Sequence, residues 1–438
     1  MWHPTPRLPK KHLPWIAAAL SRVGLAAALC LSMLQVQAAP LTLDDALRLA
    51  QQRSRQLPAQ NAAASAARDM ALAAGQRPDP VLKTGLNSLP INGPDRFSLV
   101  RDNFTMLSVG VSQELTRSTK LKARAAKFDS EAELAEAGRE LALANLQRNT
   151  ATAWLDRHFQ ERMHALLLTQ RDETRLQTDA ADAAYRGGRG SQADVFAARA
   201  SVAQIDDRIA QAERQVATAI TVLTRWVGAA AAETLASPPA LDAVRLNADA
   251  LETQLAHHPQ ITVMVRQEAM AQADAEVARA NQQTDVSVEL TYSQRGPAYS
   301  NMVSVNLSMP WQWDAPKRQD RELAAKLSVV EQMKAEREEA TRAHVAEALG
   351  MLQEWRSSRD RLLRYDTALL PLAAERTRAS LAAYRGATGS LTAVLEARRG
   401  EIDTRVERLR LETDAARLWA QLNYLVPTHR EATASVRP

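Results

Sequence analysis

One segment of the chain occurs twice, 199 residues apart. Residues 183–199 read AAYRGGRGSQADVFAAR, and residues 382–398 read AAYRGATGSLTAVLEAR. Ten of these 17 positions are identical without a gap, which is the mark of an internal repeat rather than of chance. We infer a tandem duplication, so each copy has to supply half of the fold.

The first 38 residues are typical of a secretory signal peptide. They contain an apolar run at 23–33 and end at small residues, with Ala38 before Ala39 at the cut. They also contain four basic residues and no acidic one: Arg7, Lys10, Lys11 and Arg22. We expect cleavage after Ala38. The alternative, a signal anchor that stays in the membrane, is less well supported because the apolar run is shorter than the roughly 20 residues of a spanning helix. Without this leader the 55 Lys and Arg become 51, against 50 Asp and Glu. We therefore predict no nucleic-acid partner, which would favour a basic surface.

The sequence lacks the residue patterns of an enzyme. Cys30 is the only cysteine and lies in the leader, so the mature chain has no disulfide, thiolate metal site or cysteine nucleophile; whether Cys30 is lipidated stays open. His257 and His258 precede Pro259 with no carboxylate or thiolate at ligand spacing, which is typical of a helix end. No phosphate-binding glycine loop or nucleophile with a partner base occurs. We predict no enzyme, no metal site and no cofactor.

The two copies have the same predicted order of elements. The first copy (39–236) is predicted to contain a helix at 41–77 kinked by Pro58, strands at 80–90 and 104–115, and helices at 117–184 and 191–227 around a tip at 185–191. A linker at 237–246 precedes the second copy (247–427), with a helix at 247–281, strands at 285–293 and 302–309, and helices at 317–383 and 390–424 around a tip at 384–390. Pro259 takes the place of Pro58, Pro371 is expected to bend the long helix, and 428–438 is predicted to be a flexible tail.

The predicted strands alternate apolar and polar side chains. Their length is close to the roughly 9 to 11 residues that a tilted strand needs to cross a membrane. After the leader no apolar stretch is long enough for a spanning helix, so a membrane crossing would have to use strands. Four strands do not close a barrel and open edges are not stable in lipid, so several chains would have to share one barrel. Trp311 and Trp313 follow the fourth strand, where interfacial aromatic residues are expected.

The order of elements and the two tips resemble the TolC family of outer membrane efflux proteins over nearly all of the mature chain. The motifs that carry this resemblance are YRGG with ADV at 185–195 and YRGA with VLEA at 384–397. The general organisation of the sequence is similar to that of the heavy-metal (CzcC-like) resistance branch of this family. The resemblance implies a mainly α fold with a small β part, in which each chain has duplicated long helical hairpins plus four strands. It also implies a homotrimer with a 12-stranded outer-membrane β-barrel and a periplasmic α-helical barrel.

The function implied by the resemblance is a passive outer membrane channel of a tripartite efflux system in a Gram-negative bacterium. Its implied partners are a periplasmic adaptor protein and, through it, an inner-membrane pump. Heavy-metal cations are the first expected cargo and small toxic organic molecules the second, and the sequence fixes neither cargo nor partner. The alternative is a periplasmic adaptor, which would have one hairpin and a strand-rich second half. A structural coiled coil would need neither the strands nor the duplication.

The resemblance also implies site residues near the tips. A periplasmic gate or lumen ring falls on Asp194, Tyr384 and Glu396, where three like charges at Glu396 would attract cations. Adaptor docking falls on the tip residues Arg186, Gly187, Gly188, Arg189, Gly190, Ser191, Arg385, Gly386, Thr388, Gly389 and Ser390. Gly389 and Ala393 stand where the family has an arginine and often an acidic residue, so the manner of closure stays open. The alternative is that the tips are glycine turns without a gate and that Tyr384 is a packing anchor.

Overall fold

Two long helical hairpins and one four-stranded sheet make up the computed structural model, which describes residues 39–245 and 258–428. Its helices are α1 (Leu43–Arg53), α2 (Gln56–Ala74), α3 (Ser118–Arg186), α4 (Gln192–Val227), α5 (Pro259–Asn281), α6 (Gln319–Arg364), α7 (Leu370–Arg385) and α8 (Leu391–Asn423). Its strands are β1 (Val81–Asn87), β2 (Met106–Leu115), β3 (Val286–Gln294) and β4 (Met302–Ser308). This architecture confirms the predicted mainly α fold with a small β part. The predicted leader, the start of the second copy and the residues after 428 lie outside the described residues.

The longest helix, α3, organises the chain. Its 69 residues extend for about 100 Å at 1.5 Å per residue. It packs against α4, its partner in the first hairpin, and against α8, the returning helix of the second hairpin. Nearer the sheet, α2 packs on α3, α3 on α5, and α5 on α6. In this row α5 therefore lies between the two long helices α3 and α6, whereas α2 contacts a long helix, α3, on one side.

Three of the predicted helices are divided differently in the structure, and each difference involves a proline. The helix predicted at 41–77 is two helices, because the ring of Pro58 clashes with the carbonyl four residues earlier and the backbone is already extended at Ser54. The helix predicted through Pro259 begins there, with His258 as its extended cap residue. The bend expected at Pro371 is a π-helical turn at Tyr365–Leu369, just before the proline.

The main apolar core lies where α1 meets the middle of the hairpin helices. Trp154 of α3 is fully buried, and its indole Nε1 donates a hydrogen bond to the carbonyl of Leu41 at 3.1 Å. Leu41 also forms a parallel β-bridge with Leu235, which ties the start of the first copy to its end. Arg157 is buried here as well and donates to the carbonyls of Ala231 (2.5 Å) and Glu233 (2.7 Å). These contacts join the two ends of the first copy to the middle of α3.

The sheet is antiparallel, with its strands in the order of the sequence. β1 pairs with β2, β2 with β3, and β3 with β4. The middle pair, β2 with β3, joins the two copies. Among the described residues β1 and β4 each pair on one edge, so both outer edges of the sheet present unpaired backbone groups.

Candidate functional site

One face of the sheet is apolar and exposed. Leu82, Val111, Leu290 and Val305 form one row across the four strands. The side chains at the two ends of this row, Leu82 and Val305, are 68% and 70% exposed. Leu307 of β4 is 72% exposed on the same face. Among residues 39–245 and 258–428 no helix covers this continuous apolar face, so it is suited to contact with lipid or with another protein.

The opposite face of the sheet is polar. Lys83 of β1 donates to Glu289 of β3 at 2.5 Å, so the ion pair reaches across the intervening strand β2. Gly110 lies opposite Lys83 on β2. A Cβ atom at Gly110 would stand 2.6 Å from Thr291 Oγ1, which leaves no room for a side chain under this bridge. The sheet therefore has one apolar face and one polar face.

Two tryptophans follow β4 at the rim of the apolar face. Trp311 and Trp313 are 81% and 83% exposed. Tryptophan prefers the boundary between lipid and water because its ring is apolar and its N–H is polar. Exposure of two such rings beside an apolar sheet fits a membrane boundary at this level.

The helices that lead into the two tips, α3 and α7, end in the same way. At the first tip the N–H of Arg189 donates to the carbonyl of Ala184 (2.9 Å) and the N–H of Gly188 to that of Tyr185 (3.0 Å). At the second tip the N–H of Thr388 donates to Ala383 (3.0 Å) and that of Ala387 to Tyr384 (3.1 Å). This pair of bonds is the Schellman motif, which requires a left-handed residue at its turning position.

The turning position differs between the two tips. Gly188 has φ of 69°, which glycine adopts without a steric cost. Its counterpart Ala387 has φ of 58°, where a Cβ atom costs about 1 to 2 kcal/mol. The second tip is therefore the more strained of the two.

The second helix of each hairpin begins at a serine cap. Ser191 accepts a hydrogen bond from the N–H of Asp194 (3.2 Å), and the Asp194 carboxylate accepts from the N–H (3.0 Å) and hydroxyl (2.7 Å) of Ser191. Ser390 accepts from the N–H of Ala393 at 3.2 Å, but Ala393 has no carboxylate to return the bond. The capping box therefore occupies the Asp194 carboxylate at the first tip.

The two tips lie side by side. Ala181, Val195, Ala198, Leu391 and Val394 form one buried cluster, and Tyr384 packs against it. The tip residues expected to dock an adaptor are exposed, apart from the half-buried Gly190: Arg186, Gly187, Gly188, Arg189, Ser191, Arg385, Gly386, Thr388, Gly389 and Ser390. The backbone of both tips is thus presented at the end of the hairpins.

Of the three expected gate residues, Glu396 has a free side chain. It is exposed on α8, and within the described chain no hydrogen bond or ion pair holds it. Tyr384 packs against the tip cluster, and Asp194 directly precedes its member Val195, but the described residues show no hydrogen bond between Asp194 and Tyr384. The chain thus brings the two tips together and leaves one expected gate carboxylate, that of Glu396, uncommitted.

A buried charge cluster near the tips was missed by the sequence analysis. Arg398 of α8 is 11% exposed and contacts both Glu173 of α3 and Glu401, at 3.0 Å from the latter. Glu401, 4% exposed, also accepts from Arg405 at 2.6 Å. In the first copy the equivalent Arg199 contacts Asp182 of α3 at 3.3 Å. Arg199 and Arg398 occupy the same position of the repeat, and this identity was the sequence signal that each arginine forms an ion pair with α3.

A second set of ion pairs joins the two copies below the sheet. The Lys120 ammonium donates to Asp285 at 2.6 Å, and both side chains are nearly buried. Asp274 of α5 lies between Lys127 of α3 (2.7 Å) and Lys326 of α6 (3.4 Å). Burial acts to raise the pKa of Asp274, but hydrogen bonds and charge from the two lysines outweigh it and keep the pKa below its ordinary value. Sequence separations of 52 to 165 residues hid these pairs from periodicity arguments.

The described residues contain no group of three or more His, Cys, Asp or Glu side chains able to hold a metal ion. His258 instead lies against His344, with 4.7 Å between ring centroids, and caps α5. Within the described ranges no helix has both the length and the apolar character needed to cross a membrane.

Comparison with solved structures shows that the chain shares its fold with several outer-membrane proteins. No family profile matches the chain, and no curated protein sequence matches it. The outer-membrane channel OprN superposes with a TM-score of 0.73 at 17% identity, over 88% of this chain and 90% of its own. The outer membrane protein VceC of Vibrio cholerae gives 0.71 at 17% identity, over 87% and 95%. The CmeC outer membrane channel of Campylobacter jejuni gives 0.67 at 14% identity, over 87% and 85%. The chain therefore has the fold of these outer-membrane channels.

Proposed function

We propose that this protein is the outer membrane channel of an efflux system, and that it acts as a homotrimer. The observation that carries the proposal is the sheet: one face is apolar and exposed, the other is polar, and neither edge pairs with another strand in the part of the chain that the structure describes. Open edges are excluded from lipid, so the sheet has to continue into other chains. Three chains supply twelve strands, an even number within the range of outer-membrane barrels.

The rest of the chain fits a periplasmic duct. The hairpin helices extend for about 100 Å from the sheet, so three copies side by side would form a tube far longer than the membrane is thick. The exposed tips at its far end would dock a periplasmic adaptor, and an inner-membrane pump would act through that adaptor. The channel itself has no catalytic role in this proposal.

At the far end, we assign Glu396 to a ring that lines the lumen, with Asp194 and Tyr384 in the gate beside it. Glu396 supports this role best because its carboxylate is exposed and uncommitted. Three such carboxylates near the axis attract cations. Heavy-metal cations, as in the heavy-metal resistance branch of the TolC family, are the first proposed cargo and small toxic organic molecules the second.

The alternative of a periplasmic adaptor is less well supported. Its expected single hairpin contrasts with the two hairpins of this chain, and its strand-rich second half contrasts with a second copy that has two strands. Similarity in fold to outer-membrane channels over 87% or more of the chain also favours the channel.

The proposal is tested by fractionating cells that express the protein and measuring its native mass. We expect the protein in the outer membrane as a trimer that resists SDS until it is heated. A monomer recovered from the soluble periplasmic fraction would contradict the channel and favour an adaptor. The cargo is tested separately, by comparing growth of a strain with and without the gene on Zn²⁺, Co²⁺ and Cd²⁺ and on organic toxins.

A further inference from the structure

Basic residues are concentrated at the end of the sheet where the long helices begin. Residues 117–127, directly after β2, read RSTKLKARAAK, with five Lys or Arg and no Asp or Glu. Residues 317–321, after β4, read KRQDR. The sequence Ala-Ala-Lys at 125–127 recurs at 324–326, at the 199-residue offset of the tips, so Lys122 corresponds to Arg321. A cation at this position is therefore common to both copies of the duplication.

Two of the basic side chains of α3 are used in the contact between the copies. Lys120 pairs with Asp285 at 2.6 Å, and Lys127 pairs with Asp274 at 2.7 Å. Lys122 follows Lys120 by two residues, which places it about 200° further round the helix, on the other side of α3. Its side chain is exposed. Lys122 therefore takes no part in joining the copies.

Four cations at this end of the sheet have no partner in the protein. Lys122, Lys317, Arg318 and Arg321 are all exposed, and within residues 39–245 and 258–428 no hydrogen bond or ion pair holds their side chains. We call these four residues the basic rim. Lys317 ends a short 3-10 turn, and Arg318 is the cap residue of α6. The basic rim is therefore available to an anion from outside the chain.

The acidic residues next to the basic rim do not neutralise it. In the segment 311–322, Asp320 accepts a hydrogen bond from Gln282 at 2.8 Å, and Asp314 is half-buried. Glu322 is the third acidic residue of this segment and is exposed. The segment thus exposes three unpartnered cations and one unpartnered carboxylate, and Lys122 adds a fourth cation from α3.

The opposite end of the sheet treats its cations differently. Its two loops, 88–105 and 295–301, contain three arginines, and each contacts a group of the protein. These contacts are Arg96 with the Phe97 ring, Arg101 with the Asp95 carboxylate, and Arg295 with the carbonyl of Asn103. Unpartnered cations are therefore a property of the helix end of the sheet and not of both ends.

The basic rim follows the apolar face of the sheet along the chain. Val305 and Leu307 of β4 are 70% and 72% exposed on that face, and the exposed rings of Trp311 and Trp313 come next. The cations at 317–321 complete the series. An apolar surface, then interfacial tryptophans, then Lys and Arg is the order of hydrocarbon, boundary and phosphate in a lipid leaflet. Arginine also suits phosphate because its planar fork donates two parallel hydrogen bonds.

We infer that the basic rim binds the phosphate groups of anionic phospholipids, in the membrane leaflet nearer the helices, with Trp311 and Trp313 against the same lipids. A phospholipid contacts both the cations and the adjoining apolar face, whereas a free phosphate ion contacts the cations alone. In a trimer the rim recurs three times around the barrel. The inference rests on the proposed function, because it requires the sheet to span the membrane.

Fluorescence quenching by brominated lipid tests the basic rim. The protein is reconstituted in phosphatidylcholine vesicles in which a rising fraction is brominated phosphatidylglycerol, which is anionic, or brominated phosphatidylcholine, which is not. Trp311 and Trp313 are the exposed tryptophans of the described chain, and Trp311→Phe with Trp313→Phe gives the background. Attraction of one Lys or Arg to anionic lipid corresponds to about a fivefold preference. We therefore expect the native protein to prefer phosphatidylglycerol by about fivefold or more.

Charge removal at the rim should abolish this preference. The rim variant carries Lys317→Gln, Arg318→Gln and Arg321→Gln, and its ratio of phosphatidylglycerol to phosphatidylcholine binding should fall to about one. The matched control removes the same charge from exposed, unpartnered positions further along α6, by Lys334→Gln, Arg356→Gln and Arg361→Gln, and should keep the preference. Salt should weaken the native preference, because the screening length falls from about 10 Å at 0.1 M to about 3 Å at 1 M.

Four outcomes separate this inference from the proposed function. Loss of the preference in the rim variant and not in the control supports the basic rim. An unchanged preference in the rim variant, with normal quenching by brominated phosphatidylcholine, overturns the rim and leaves the channel intact. Loss of the native preference on addition of inorganic phosphate at constant ionic strength overturns lipid as the ligand. Absence of quenching of Trp311 and Trp313 by either lipid overturns both the rim and the membrane-spanning sheet.

Discussion

Acid should weaken the fold through His258, which caps α5 at the junction between helices. His258 is 4% exposed, and its Nδ1 accepts a hydrogen bond from the N–H of Gln260 at 3.3 Å. Burial, and then the neighbouring His344 ring and Arg148 guanidinium, lower the pKa of His258 from 6.5 to about 4. The folded protein therefore keeps this imidazole neutral in a range where the unfolded chain protonates it.

The sign and size of the effect follow from these two pKa values. Above pH 6.5 the histidine is neutral in both states and its packing contributes fully to stability. As the pH falls from 6.5 toward 4, the unfolded state gains the proton and stability is lost. The two pKa values give a loss of about 2 kcal/mol at pH 5. Screening by the surrounding solvent reduces this, so we expect about 1 to 2 kcal/mol per chain.

The assay is urea unfolding of the purified protein in detergent at pH 7.5 and pH 5.0. His258→Asn keeps an efficient helix cap but removes the titrating group. Carboxylates titrate in both proteins and cancel in the comparison. The native protein should lose about 1 to 2 kcal/mol more unfolding free energy per chain than the variant does. Equal losses in the two proteins would refute the reasoning.

Five further substitutions test the local geometry. Gly188→Ala should reduce the hydrogen-exchange protection of the first tip by about 0.5 to 1 kcal/mol, because the left-handed strain exceeds the gain from a stiffer unfolded chain, and Ala387→Gly should raise protection of the second tip by a similar amount. Hydrogen-exchange rates that stay unchanged at the tips of both variants would contradict this expectation. Trp154→Ala should lower the unfolding free energy by about 3 to 5 kcal/mol in urea, whereas removal of an exposed ring by Trp311→Ala should leave it unchanged. Gly110→Val should abolish SDS-resistant trimers on gels because its Cβ meets Thr291 Oγ1, and survival of the trimers would exclude that clash.

The features visible in the sequence were those set by local pattern. Alternation of apolar and polar residues identified β2, β3 and β4, because successive side chains of a strand point to opposite faces. The repeated Tyr-Arg-Gly segments located the tips, since glycine marks the left-handed turn that ends each helix. Ala387 shows the limit of that rule: a non-glycine residue holds the same turn.

Features set by tertiary contact were not visible in the sequence. A proline marks a helix break only to within a turn, because its ring acts on the carbonyl four residues earlier; this is why the first break falls at Ser54 and not at Pro58. The ion pairs of Asp274 depend on which helices become neighbours, which spacing along the chain does not encode. Asp194 was expected at a gate by resemblance, and its capping box became evident from the geometry of Ser191.

Single-channel conductance in planar lipid bilayers tests the central claim most directly. We expect the purified trimer to form small, cation-selective pores, and Glu396→Gln to reduce the cation selectivity. Asp69→Asn, which removes an exposed carboxylate on α2 and not at the tips, is the matched control and should leave selectivity unchanged. A protein that inserts no pores and stays monomeric would contradict the channel. Pores with unaltered selectivity in Glu396→Gln would keep the channel and remove Glu396 from its lumen.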